Sequence, residues 1–183
     1  MDTQTFKLAT AQSEIAWIGR KVTGAHNGTI AIEKGWLNFS NDQLVGGQFI
    51  IDTTSINILD ISDPATNAQF AGHLASDDFF SSAKYPTASF EIVSAKQKTG
   101  GNYDITGNLT IKDITYPVNF DATIVNDGQT VNASGKIVVN RTLFDMKFRS
   151  GNFFLNLGDT LIYNEFDLNV HITAKAVNTA VLA

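Results

Sequence analysis

A two-residue alternation of apolar and polar side chains recurs along much of this 183-residue chain and restricts what it can fold into. In NYDITGNLTIK, residues 102–112, one face carries Tyr103, Ile105, Leu109 and Ile111. The other carries Asp104, Thr106, Asn108, Thr110 and Lys112. The same parity sets Val131, Ala133, Ile137 and Val139 against Thr130, Asn132, Ser134 and Lys136, and Phe166, Leu168, Val170 and Ile172 against Asp167, Asn169, His171, Thr173 and Lys175. A repeat of two belongs to strands, whose successive side chains leave on opposite faces. Short turn signals separate the runs: EKG at 33–35, SND at 40–42, TGGN at 99–102, KDIT at 112–115 and NDG at 126–128. Their Gly, Asn and Asp supply the positive φ of tight hairpins.

The pattern predicts roughly eight or nine strands, near 14–20, 27–33, 36–40, 43–52, 87–97, 102–112, 115–125, 130–139 and 165–176. Connections this short force antiparallel neighbours, because a parallel return needs a long crossover. One segment reads as helix. In DPATNAQFAGHLAS, Asp63 is placed to cap, Pro64 to occupy the first helical position, and Phe70 and Leu74 to share a face. One short helix cannot cover both faces of a large sheet, so the expected fold is all-β, an antiparallel eight-stranded barrel closed on itself, in one domain over residues 1–183. A membrane barrel would alternate similarly. The numerous Asp, Lys and Asn on these strands overfill a small lumen, and no aromatic girdle marks the strand ends, so a water-soluble barrel is expected.

Composition removes other classes. The net charge of −5 and scattered Lys residues exclude a basic nucleic-acid face. Cysteine is absent, so disulfides, thiolate nucleophiles and Cys-based metal sites are excluded. No apolar run is long enough for a spanning helix. MDTQTFKLATAQ has neither a basic nor an apolar leader region. The expected location is therefore the periplasm or outside the cell if a leader has been removed, and the cytoplasm if the chain is complete as given.

The densest polar patch is GHLASDDFFSSAKYPTASFEI, residues 72–92. Ser81-Ser82-Ala83-Lys84 and Lys98-Thr99-Gly100 imitate two motifs of penicillin-binding enzymes. That chemistry needs Ser and Lys one turn apart on a helix, whereas Pro86 biases Tyr85 away from helix and the Lys-Thr-Gly runs into a hairpin. His26, His73 and His171 have no metal-ligand spacing, so no metal and no catalytic residue is expected. The stretch reads as the helix exit, a corner and the start of a strand. Asp77 or Asp78 is expected to pair with Arg141, and Phe79, Phe80 and Tyr85 to pack one end of the barrel. Gly107, Ala122, Ala133 and Gly135 on the inward faces leave room in the lumen. A hydrocarbon ligand suffices to fill it, since ten buried methylenes are worth roughly 8 kcal/mol.

Several stretches together carry a family resemblance: WIGRKVTGAHNGTIAIEKGWL (17–37), GGQFIIDTTSI (46–56), residues 72–92, GNLTIKDITYPVNF (107–120), NRTLFDMKFRSGNFF (140–154) and GDTLIYNEFDLNVHI (158–172). The chain resembles the YceI-like (polyisoprenoid-binding) family over nearly its whole length. The resemblance implies an extended, lipocalin-like antiparallel barrel whose tunnel holds a long isoprenoid or similar amphiphile, bacterial export to the periplasm, and a homodimer. No cofactor is expected beyond a non-covalent lipid such as a polyprenyl chain or quinone. The function read here is lipid binding for carriage, storage or sequestration. Alternation selects Ile15, Trp17, Phe49, Ile51, Phe90, Ile92, Ile105, Leu109, Phe120 and Val131 as the lipid-binding wall. The alternatives are an enzyme using His73, Asp77 and Arg141 at the barrel mouth, or a ligand-free structural or stress-response protein.

Overall fold

A computed structural model describes residues 3–177 other than 152 and 156. In chain order its strands are β1 (Thr3–Leu8), β2 (Glu14–Lys21), β3 (Gly24–Ile30), β4 (Ile32–Ser40), β5 (Gln43–Asp52), β6 (Asn57–Ile58), β7 (Thr87–Gln97), β8 (Asn102–Ile111), β9 (Ile114–Asn126), β10 (Thr130–Asn140) and β11 (Ile162–Ala176). Among the described residues one α-helix, α1 (Pro64–Ala75), lies between β6 and β7.

Every ladder is antiparallel, and the sheet returns on itself where β1 pairs with β11, Phe6 opposite Ala176 and Leu8 opposite Ala174. β1 and β2 form a single bent stave, since both pair with β11 on either side of a turn at Thr10–Gln12. β3 and β4 form a second, pairing with β2 and β1 respectively. With β5 and β7 to β11, these make a closed barrel of eight strands, and β6 adds only a short ladder to β3. The barrel and the one short helix agree with the sequence expectation.

The hairpins follow from their turn residues. Asn41 and Asp42 take φ of 52° and 63°, and Lys112 and Asp113 take 54° and 60°, the left-handed pair that matches strand twist in two-residue loops. Asp63 caps α1 by accepting the Thr66 N–H at 2.9 Å. The Thr66 hydroxyl donates to the same oxygen at 2.6 Å, and this bond with that of the N–H holds the Asp63 carboxyl below its ordinary range.

Five elements differ from the sequence expectation, the first being β3, which runs Gly24–Ile30 rather than near 27–33. EKG at 33–35 is not a turn: β4 runs through it, with a register shift between Ile32 and Lys34 that makes a bulge. β1 lay unrecognised because so short a segment shows little alternation. β6 spans two residues and has no sequence signature. β11 begins at Ile162 rather than 165.

Rings lie flat along the wall because glycines face them across the ladder. Gly35 stands opposite Phe49, and Gly28 opposite Trp17. A Cβ on Gly107 would collide with the Phe90 ring and come within 2.7 Å of the Glu91 carbonyl. Gly107 therefore seats an aromatic ring, a different role from the open volume read in the sequence.

β9 and β10 pair only along Ala122–Asn126 and Val131–Gly135. Residues 114–121 and 136–140 share no ladder, which leaves a seam in the wall, and beyond it Tyr116 meets Phe144 edge to face at 5.8 Å. Counting alternate pairs from Ile111 opposite Ile114, the Pro117 nitrogen faces the seam rather than β8. Its missing N–H costs the β8 ladder nothing, which is how a strand tolerates proline.

Two substitutions test this account. Gly107→Val should lower unfolding free energy by roughly 2 kcal/mol through overpacking, seen as an earlier urea midpoint with unchanged slope. Gly72→Ala, in α1 with nothing near the added methyl, should raise it by about 0.5–1 kcal/mol.

Candidate functional site

One end of the barrel is filled. Phe6 and Phe39 meet edge to face with ring centroids 5.3 Å apart, and Val131 and Ala174 pack there with no exposure. Tyr103 is buried at the same level, its hydroxyl oxygen 3.4 Å from the Leu44 N–H. Above this plug a cavity of about 420 Å³ runs to the opposite end. Ile124, Leu44 and Ile105 line its floor, and Arg20, Lys21, His26, His73, Arg149 and Glu165 are among the residues at its mouth. The chamber is apolar in depth and polar at the rim.

Ile15, Trp17, Phe49, Ile51, Phe90, Ile92, Ile105, Leu109 and Phe120 all line this cavity. Val131 has the right parity but sits in the plug, fully buried, and does not border the chamber. Parity assigns a face, whereas height along the barrel decides between plug and chamber. Ala122, Ala133 and Gly135 do border the cavity, as small inward residues were expected to.

Several lining residues were not selected from sequence. Leu168 and Val170 obey the same alternation in β11 and were legible by parity. Phe70 and Leu74 reach the chamber from α1, which lies across the mouth. Phe148 comes from the irregular segment after β10, where no period marks it.

The mouth is braced by side chains that also line it. His26 Nδ1 lies 2.8 Å from Asp60 Oδ2, and the Asn27 N–H donates to Asp60 Oδ1 at 3.1 Å. Burial raises the Asp60 carboxyl, but the bonds from His26 and Asn27 outweigh it and hold the group below its ordinary range. The His26 ring packs on Phe70 at 4.8 Å, tilted by 49°, joining α1 to the barrel wall. Phe80 packs against Phe166 with centroids 6.4 Å apart.

The expected ion pair of Asp77 or Asp78 with Arg141 is overturned. Asp77 accepts from Ser81 Oγ at 2.6 Å, and Asp78 lies 3.0 Å from His73 Nε2. Arg141 instead donates to three backbone carbonyls: Met146 at 2.6 Å, Tyr163 at 2.9 Å and Ile162 at 3.0 Å. It is only 3% exposed, and its desolvation pulls the guanidinium pKa down to about 10. Its guanidinium also stands 5.9 Å over the Phe79 ring, whose edge-to-face partner is His73. Arg141 thus fastens the chain after β10 to the start of β11.

The mouth groups named for the enzyme alternative are therefore each engaged in structure. The Ser-x-x-Lys imitation also dissolves: Ser81 Oγ donates to Asp77, away from any helix, and Lys84 is exposed on a turn. Tyr85 is half-buried and its carbonyl accepts from Thr53 Oγ, so Phe79 and Phe80 border the chamber while Tyr85 does not. Among the described residues no three His, Asp or Glu side chains gather as metal ligands.

A family model described as YceI-like domain matches residues 6–174. Protein YceI of Escherichia coli is 39% identical over 77 residues, which is 42% of this chain and 40% of that protein's length. The chain thus matches less than half of that relative. Among solved structures, BcnA of Burkholderia cenocepacia superposes with a TM-score of 0.71 at 20% identity, covering 92% of this chain and 99% of that one. A Saccharophagus degradans protein described as a polyisoprenoid binding domain implicated in plant cell wall breakdown superposes with a TM-score of 0.68 at 15% identity. That match covers 94% of this chain and 98% of the other. At these identities the two structures establish the shared fold.

Replacing Arg141 separates anchoring from chemistry. Arg141→Leu strands buried carbonyls and should cost about 3 kcal/mol of stability, measured by urea unfolding. Arg141→Lys, which keeps the charge without the fork of donors, should recover part of that loss.

Proposed function

The chain belongs to the YceI-like domain family, and on that premise we propose that it binds a long-chain isoprenoid or similar amphiphilic lipid inside the barrel, for carriage, storage or sequestration. The observation that carries the proposal is the chamber itself: apolar in depth, plugged at one end and polar at the other. The Saccharophagus degradans protein that shares this fold is a polyisoprenoid binding domain, which supports the same ligand class here. A volume of about 420 Å³ falls within the range of small-molecule sites. The flat rings of Trp17, Phe49 and Phe90 offer broad dispersion contact to a branched chain without requiring a polar partner in depth.

Energetics favour exchange. A tail leaving water for the chamber gains about 0.8 kcal/mol per methylene, less the cost of ordering chain and ligand. A tail leaving a bilayer gains little, because the bilayer is equally apolar. Such a protein suits reversible carriage better than permanent capture.

Organic extraction of the natively purified protein, followed by mass spectrometry, should release a lipid bearing a long hydrocarbon chain. The delipidated protein should then take up a conjugated polyene lipid and quench Trp17. Of the two tryptophans, Trp36 does not line the chamber, so Trp36→Phe isolates the signal. Ala133→Phe, which fills the chamber, should weaken uptake about tenfold or more. A folded protein that yields no lipid and admits none after delipidation would overturn the reading.

A further inference from the structure

We propose that the barrel mouth docks on a lipid bilayer by inserting the apolar tip at residues 153–155. The proposal rests on the lipid-binding reading, because a bilayer is where such a ligand is taken up and returned.

Leu155 is 87% exposed, Phe153 51% and Phe154 46%. The N–H groups of Phe153 and Phe154 both donate to the Ser150 carbonyl, at 3.1 and 3.0 Å, so a tight turn carries these large apolar side chains outward. Exposed Leu143 and Tyr163 flank the turn in the same mouth segment. The exposed valines of the outer strands, among them Val45, Val93 and Val125, are scattered along the barrel, as single surface hydrophobics commonly are.

The tip is continuous with the chamber. Lys147 Nζ stands 4.8 Å over the Phe153 ring, and the Arg149 guanidinium 5.0 Å over Phe148. Phe148 and Arg149 both line the cavity, and the Arg149 carbonyl accepts from the Ile162 N–H of β11 at 2.9 Å. Rings beside long cationic stems are the side chains that settle at a membrane interface, the ring among acyl chains and the charge among headgroups.

Charge does not oppose this partner. With Arg141 buried on three carbonyls, residues 141–163 leave Lys147 and Arg149 against Asp145 and Asp159, a net of zero in a chain of −5. Asp145 lies 3.7 Å from Lys147 Nζ and offsets its charge. Apolar insertion therefore carries the docking, and added salt weakens it only modestly. A second copy of the chain fits less well. A stable dimer needs about 800 Å² of complementary surface per partner, whereas a protruding turn suits a fluid medium.

The test is flotation of the full chain with vesicles of phosphatidylcholine containing a minority of phosphatidylglycerol. Chamber integrity is followed in parallel by uptake of N-phenylnaphthylamine. The parent protein should float. Phe153→Ser, Phe154→Ser and Leu155→Ser together should lower the bound fraction at least about tenfold while dye uptake persists. Val93→Ser with Val125→Ser on the outer strands should change nothing. If the triple variant unfolds, Leu155→Asp alone serves, since that side chain is almost wholly exposed. Undiminished flotation of the tip variants, or no flotation of a parent that takes up dye, overturns the proposal. So does sedimentation showing that the tip joins two copies in place of binding vesicles. Flotation without dye uptake would leave docking standing and remove the chamber reading instead.

Discussion

Closure of the sheet between β1 and β11 is the constraint on which the other features depend. The backbone bonds around Phe6–Leu8 and Ala174–Ala176 occupy edges that would otherwise be exposed. They also convert one face of a sheet into an interior. The mostly apolar inward set of eight strands then needs no covering layer, and a single helix suffices. Without closure, the same alternation would leave a wide apolar face in water.

Closure creates an interior, but packing divides it. At one end Phe6, Phe39 and Val131 fill the section completely. Higher up, glycines opposite Trp17 and Phe49 and beside Phe90 draw the rings back against the wall. Small residues in such a barrel therefore act in two ways: some seat a neighbour's ring, and others, such as Ala133, border the space that remains. The chamber is what is left after both.

The mouth has a different physical character, held by local polar contacts rather than by a ladder. Arg141 gathers three carbonyls from the segments on either side of the mouth, at the energetic cost of a desolvated guanidinium. His26 with Asp60 ties the segment before α1 to β3, and His73 with Asp78 fastens the exit of α1 to the helix itself. Each of these residues resembles catalytic equipment in composition. Each acts as a brace in this structure, and Arg141 in particular satisfies backbone carbonyls that an irregular opening leaves without a ladder partner.

The alternation, the hairpin turns and the Asp63–Pro64 helix start were legible because each depends on neighbours within a few residues. The tip of 153–155 and the lining role of Phe148 were not, since the segment after β10 has no period. The pairing of Arg141 is hidden for a related reason: opposite charge suggests a carboxylate partner, but in the fold three oriented carbonyls surround the buried guanidinium. Local alternation, turn chemistry and the quoted motifs already specify an antiparallel barrel, its inward face and its family. That Val131 plugs while Ile105 lines a chamber, where the β9–β10 seam lies and what Arg141 holds emerge only from the folded chain. Parity is a local property that repeats every two residues, whereas height in the barrel and contacts across it are set by registers between strands distant in the chain.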